Sequence, residues 1–98
     1  MTHSILTIPV RAIDEDAFIE VFHRLDVLGH AARLPAFRGG RLLRPREAGG
    51  GFVVHAWWES PDGYQSWLDA PIRATLRQEI EPLLAGPMTG SLYDEVGA

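Results

Sequence analysis

The sequence predicts an α+β domain in the split β-α-β arrangement, order β-α-β-β-α-β, known as ferredoxin-like. Three observations carry the prediction. Apolar and β-branched runs at 4–11, 37–45, 52–59 and 88–96 alternate with helical stretches in that order. The 98 residues, 46% of them hydrophobic, suffice for a single core and one domain spanning 1–98. The third strand is apolar on both faces, with Phe52, Val54, Ala56 and Trp58 on one and Val53, His55 and Trp57 on the other. A strand with one wet face would alternate with polar residues, so this one needs cover on both sides. Helices cover only one side of such a sheet, and a second copy of the chain is the simplest cover for the other.

The first run, 4–11, carries Ile5, Leu6, Ile8 and Val10, and Pro9 within it marks a bulge or a free edge. Asp14 is placed to cap the helix that follows, with Ile13 and Phe18 as a hydrophobic staple. Phe18, Val21, Phe22, Leu25, Leu28 and Ala32 recur at helical spacing, which predicts one continuous helix with His23 and His30 facing water. Leu34-Pro35 ends it, because the residue before a proline is pushed out of helical geometry. Gly49-Gly50-Gly51 supplies the turn of the hairpin joining 37–45 to 52–59. Ser60 caps the next helix, with Pro61 at its first position. Pro71 restarts a helix whose stripe is Ile72, Leu76, Ile80, Leu83 and Leu84, and Gly86-Pro87 stops it.

Composition removes several kinds of chemistry. There is no cysteine, so disulfides, thiolate catalysis and sulfur-ligated metals are excluded. All nine basic residues are arginine, which excludes a Schiff-base or P-loop lysine. A net charge of −4 offers no footprint for nucleic acid or an anionic membrane. The arginines at 38, 41, 44 and 46 are expected to be the solvated part of the hairpin. No apolar run approaches the about 20 residues that span a bilayer. The first residues lack the pattern of a signal peptide, so a cytoplasmic protein is expected.

The richest stretch is 52–84, where Trp58, Tyr64, Trp67 and Arg77 are spaced so that they could surround one cavity. Each also has a purely structural reading. Trp58 can be a core aromatic at a strand end, and Tyr64 and Trp67 can be core residues of a helix. Arg77 can pair with Glu81 four residues on. His55 and Trp57 suit a packed interface, with His55 hydrogen-bonded. His23 and His30 lack a third ligand, so no metal site is expected. The glycine run precedes a strand and lacks the helix N-terminus of a phosphate cradle.

On Trp58-Glu59-Ser60 closing the third strand, with Tyr64 six residues after the tryptophan, the chain resembles the antibiotic biosynthesis monooxygenase family. The resemblance runs over nearly the whole length and implies a dimeric α+β barrel of two ferredoxin-like protomers. This short signal is shared by members of differing chemistry, so it implies the fold better than the reaction. In the quinone-forming branch, a strand-end tryptophan, a tyrosine six residues later and an arginine after a leucine on the last helix contribute to the substrate cavity. Trp58, Tyr64 and Arg77, in Leu76-Arg77, match them. An asparagine expected four residues before the tryptophan is Val54 here. A haem-degrading branch is similar around Trp67, but the position of its haem-ligating histidine, ten residues on, is Arg77.

The resemblance implies Trp58, Tyr64 and Arg77 as catalytic residues, donating to a substrate oxygen, supplying a proton to a peroxide and stabilising a phenolate. Val54, Trp67 and Phe22 would contact the substrate. The implied reaction is cofactor-independent oxidation of an aromatic polycyclic phenol to a quinone, with molecular oxygen as co-substrate, in a homodimer. A cofactor-free isomerase or cyclase, a non-catalytic module binding a small ligand, and a haem-degrading monooxygenase are alternatives on the same scaffold.

Overall fold

The computed structural model describes residues 1–97, one residue short of the expected domain limit at 98. Its elements are β1 (Thr2–Ile8), α1 (Glu15–Arg24), α2 (Val27–Ala31), β2 (Phe37–Leu43), β3 (Phe52–Trp58), α3 (Pro61–Leu68), α4 (Ile72–Ile80) and β4 (Thr89–Asp94). The strands form one antiparallel sheet in the order β2-β3-β1-β4, which is the ferredoxin-like topology. β1 stops at Ile8 because Pro9 has no N–H for the ladder. Val10 beyond it forms a lone bridge to Leu84, and the Pro9 carbonyl accepts from the Ala85 N–H at 2.8 Å.

The period of two in each strand decides which side chains meet the helices. Ile8 and Phe52 are cross-strand partners and pack with Phe18, Phe22 and Ile80 into the main core cluster. Phe18 is fully buried, its ring 4.7 Å from that of Phe52, and burying each such aromatic stabilises the fold by roughly 1.5–3 kcal/mol. A second, smaller cluster gathers Ala31, Ala56 and Trp58 at the other end of the sheet.

The helical layer departs from expectation in two respects. The predicted single helix is two, broken at Asp26, which takes a left-handed conformation with φ 51° and ψ 48°. Aspartate tolerates this region better than most residues. Its carboxylate folds over Gly29, where an added Cβ would lie 2.1 Å from Asp26 Oδ2. The break shifts the helical phase, so Ala31 rather than Ala32 is buried and His30 is half-buried instead of facing water. The staple also fails. A short 3₁₀ turn at Ala12–Asp14 swings Ile13 out to 89% exposure, and Asp14 binds Arg11 Nε at 2.8 Å instead of capping with its side chain.

The hairpin turn is tied down from below. Gly49 and Gly51 have φ of 81° and 92°, a region that penalises any side chain. The buried Glu15 carboxylate accepts from the Gly49 N–H at 2.7 Å and from Arg44 Nε at 3.2 Å. Of the hairpin arginines, Arg38 pairs with Glu59 and Arg44 also reaches Asp16, while Arg41 lies over the Trp57 ring at 5.2 Å; all four are exposed, as expected.

The opposite sheet face carries His3, Ile5, Val53, His55, Trp57 and Tyr93. His3 Nδ1 and His55 Nε2 are 2.8 Å apart, and His3 Nε2 is 2.6 Å from Glu95 Oε1, forming a polar chain across β3, β1 and the end of β4. His55 is hydrogen-bonded, as its position suggested. Trp57 lies flat along Gly39, where an added Cβ would fall 2.3 Å from Trp57 Cζ2. No helix among the described residues is long and apolar enough to cross a membrane.

Candidate active site

A hollow lies between the sheet and the helices, in the gap between the two core clusters, and its origin can be read from the strand register. Thr2, Trp58 and Phe37 form one row across β1, β3 and β2, and Leu6, Val54 and Leu42 form another. The row between them is Ser4, Ala56 and Gly40, three small residues side by side. Two bulky rows hold the helices off the sheet while the middle row fails to fill the space beneath them. The result is a hollow floored by Ser4 and Ala56 and open to solvent at its mouth.

The turn between β3 and α3 aims the aromatic residues. Ser60 Oγ accepts from the Gly63 N–H at 3.2 Å, and Pro61 starts the helix without losing a hydrogen bond. Gly63 presses against Ala36, where an added Cβ would sit 2.3 Å from the alanine Cβ, and the Glu59 N–H donates to the Ala36 carbonyl at 2.8 Å. With both ends of the turn held, Trp58 leaves the strand and Tyr64 leaves the helix toward the same space. Their rings meet edge to face at 5.7 Å, and Phe37 closes on the other edge of Trp58 at 5.2 Å.

All six residues singled out from the sequence (Trp58, Tyr64, Arg77, Val54, Trp67 and Phe22) line this cavity. Two expectations about them need correction. The Trp58 indole is 1% exposed and its N–H donates to Ser4 Oγ at 3.0 Å, so it is not a free donor for a ligand. The Ser4 hydroxyl, having accepted that bond, retains its own O–H to give into the cavity. Arg77 makes no ion pair with Glu81 among the described residues; it stands exposed at the mouth.

Sequence reasoning missed Ser4 and Arg73. Ser4 carried no signal beyond a small polar residue inside an apolar strand. Arg73 had one: it precedes Arg77 by one helical turn and so shares its face. Its guanidinium lies 5.8 Å from the Trp67 ring, within cation–π range. Burial lowers the Arg73 pKa below its ordinary value, with Tyr64 pulling it back and Arg77 pushing it further down. No carboxylate and no imidazole line the cavity among the described residues; its titratable groups are Tyr64, Arg73 and Arg77. His3 and His55 stand on the far sheet face, and no cluster of metal-ligating side chains occurs among the described residues.

Fold and cavity together define a ferredoxin-like α+β protein with an aromatic-walled cavity between its sheet and its helices. The chain belongs to the antibiotic biosynthesis monooxygenase family, whose profile matches residues 1–79. Solved structures agree on the fold. A monooxygenase encoded by ActVA-Orf6 of Streptomyces coelicolor, solved with the ligand nanaomycin D, is 24% identical with a TM-score of 0.82, covering 99% of this chain and 88% of its own. SnoaB, a cofactor-independent oxygenase from Streptomyces nogalater, is 22% identical with a TM-score of 0.73, covering 99% and 92%. A Nitrosomonas europaea protein assigned to the same family is 18% identical with a TM-score of 0.82, covering 99% and 100%. No curated protein matches the sequence.

Proposed function

We propose that this chain is a cofactor-independent monooxygenase that converts an aromatic polycyclic phenol to a quinone. The observation that carries the reading is the cavity itself, which brings Tyr64 and two arginines into a space walled by Trp58, Trp67 and aliphatic side chains. The family membership and the fold shared with the two Streptomyces oxygenases support it.

On this reading the substrate supplies the electrons. Loss of its phenolic proton gives an electron-rich anion, and Arg77 at the mouth stabilises that charge. With no carboxylate or imidazole lining the cavity among the described residues, Arg77 acts by making the phenolate accessible at neutral pH, and the proton leaves by the open mouth. The anion reduces O₂ and combines with it to a peroxide on the ring carbon. Tyr64 donates a proton to the peroxide, its phenolate then takes the ring C–H proton as the O–O bond breaks, and the departing hydroxide is protonated by solvent to water. One oxygen atom becomes the new carbonyl, and the other departs in water with the hydroxyl and ring hydrogens. Trp58 and Phe37 hold the wall, Val54, Trp67 and Phe22 bound the ring system, and the Ser4 hydroxyl orients a substrate oxygen.

The open sheet face completes the proposal. Ile5, Val53 and Trp57 at its centre, flanked by His55, Arg41 and Tyr93, form a surface that a second copy of the chain covers, giving a homodimer. The test of function is oxygen uptake with an anthrone-type phenol. One O₂ should be consumed per quinone formed, and Tyr64→Phe should lower turnover by about 10²-fold, as expected for loss of a general acid. Identical product yields with and without oxygen would end the reading.

A further inference from the structure

Arg73 is the one arginine of the nine that is not solvent-exposed. It is also without a carboxylate partner: the arginine ion pairs among the described residues belong to Arg11, Arg38 and Arg44. A half-buried cation is ordinarily paired, because removing it from water carries a cost that an adjacent anion offsets. Here the neighbours make matters worse. Arg77 stands one turn further along the same helical face, so two like charges border the same cavity, and no acidic side chain lines it. The other polar side chains lining the cavity are the Tyr64 phenol and the Ser4 hydroxyl. The Trp67 ring lies 5.8 Å from the guanidinium carbon, within cation–π range.

We propose that Arg73 is the anchor for a carboxylate on the ligand, leaving Arg77 at the rim for the phenolate, so that this cavity takes an acidic aromatic compound rather than a neutral one. The inference rests on the cavity being the substrate site proposed above and adds the class of compound it selects. The planar guanidinium fork matches a carboxylate with two parallel N–H···O bonds. A single negative charge suffices, since Arg77 is already in contact with solvent. Anchoring at α4 sets the ring system against Trp58 and Trp67, with its far end over Ser4 and Ala56. Arg73 is then a specificity-determining residue, separate from the proton donor Tyr64.

The test is isothermal titration calorimetry on the purified full chain with 2-naphthoate and its neutral isostere 2-naphthamide. Wild type should bind the naphthoate about tenfold or more tightly than the amide, the worth of one charge-assisted bidentate contact. Arg73→Gln should bring that ratio close to one, and Arg73→Lys should restore part of it. Raising the salt concentration should reduce the wild-type ratio, a measurement that needs no variant. A wild-type ratio near one, or a ratio that survives Arg73→Gln in a variant with a wild-type circular dichroism spectrum, overturns the anchor. Oxygen uptake with neutral and acidic anthrone-type phenols separates the two ideas: turnover of both at equal kcat/KM sinks the anchor and leaves the oxygenase standing. Failure of both probes to bind removes the cavity as the site and the anchor with it.

Discussion

Replacing Trp58 and Ser4 singly and together measures the one hydrogen bond that fixes the wall of the cavity. Trp58→Phe keeps the edge-to-face contacts with Phe37 and Tyr64 in part but deletes the second ring and its N–H. The lost buried atoms cost about 1–2 kcal/mol in transfer and cavity terms, and the lost hydrogen bond adds about 1 kcal/mol. Ser4→Ala removes the acceptor and leaves the indole N–H, 1% exposed with its residue, without a partner. That should cost about 1–2 kcal/mol, since an orphaned buried donor loses its hydration as well as its bond. The double variant has no donor to orphan, so it should be more stable than the sum of the singles predicts by about 1 kcal/mol. Against a stability of about 5–15 kcal/mol for a chain of this size, each single variant should remain folded. The assay is urea unfolding followed by tryptophan fluorescence at one fixed protomer concentration, because any association shifts apparent stability. Additivity within about 0.3 kcal/mol would mean that the 3.0 Å contact is not made in solution, and Trp58 would again be free to donate to a ligand.

Gly63→Ala places a methyl 2.3 Å from the Ala36 Cβ at the root of α3 and should destabilise by about 1–3 kcal/mol in the same assay, whereas an unchanged midpoint would show a looser β3–α3 turn. The His3–His55–Glu95 chain predicts acid sensitivity. Burial first, then His3 and Arg41, hold the His55 pKa below its ordinary 6.5, so the unfolded chain takes up that proton sooner. The hydrogen bond from His3 holds Glu95 below its ordinary 4.5. Both contributions are present above those ordinary values and are lost on acidification, through His55 from about pH 6.5 downward and through Glu95 below 4.5. Urea midpoints should therefore fall from pH 7.5 to pH 5 and fall less in His55→Gln; a midpoint that rises on acidification contradicts the assignment. Trp57→Glu places a charge at the centre of the open sheet face and should shift sedimentation from dimer to protomer, while a wild-type protein that sediments as a protomer at all concentrations removes the dimer.

The strands were legible because period-two patterning survives in any environment. The α3 start was equally plain, since Ser60-Pro61 is a local signal satisfied by local atoms. The helix break was not. Asp26 enters the left-handed region because Gly29 three residues later makes room for its carboxylate, a fit that periodicity does not encode. Ile13 failed as a staple for a similar reason, because the 3₁₀ turn that carries it outward has no strong signature.

The cavity divides along the same line. Trp58, Tyr64, Trp67 and Arg77 declared themselves by type and spacing within one continuous segment. Ser4 and Arg73 did not, because their meaning depends on partners. Ser4 matters through Trp58, 54 positions away, and Arg73 through the lack of an ion pair, among the described residues, for a half-buried charge. What the chain alone determined was the order of its elements and the aromatic identity of the site, since both follow from short-range chemistry. That the site is hollow was decided only in three dimensions, when strand register set Ser4, Ala56 and Gly40 side by side between two bulky rows. Packing against distant neighbours cannot be read from residues taken one at a time.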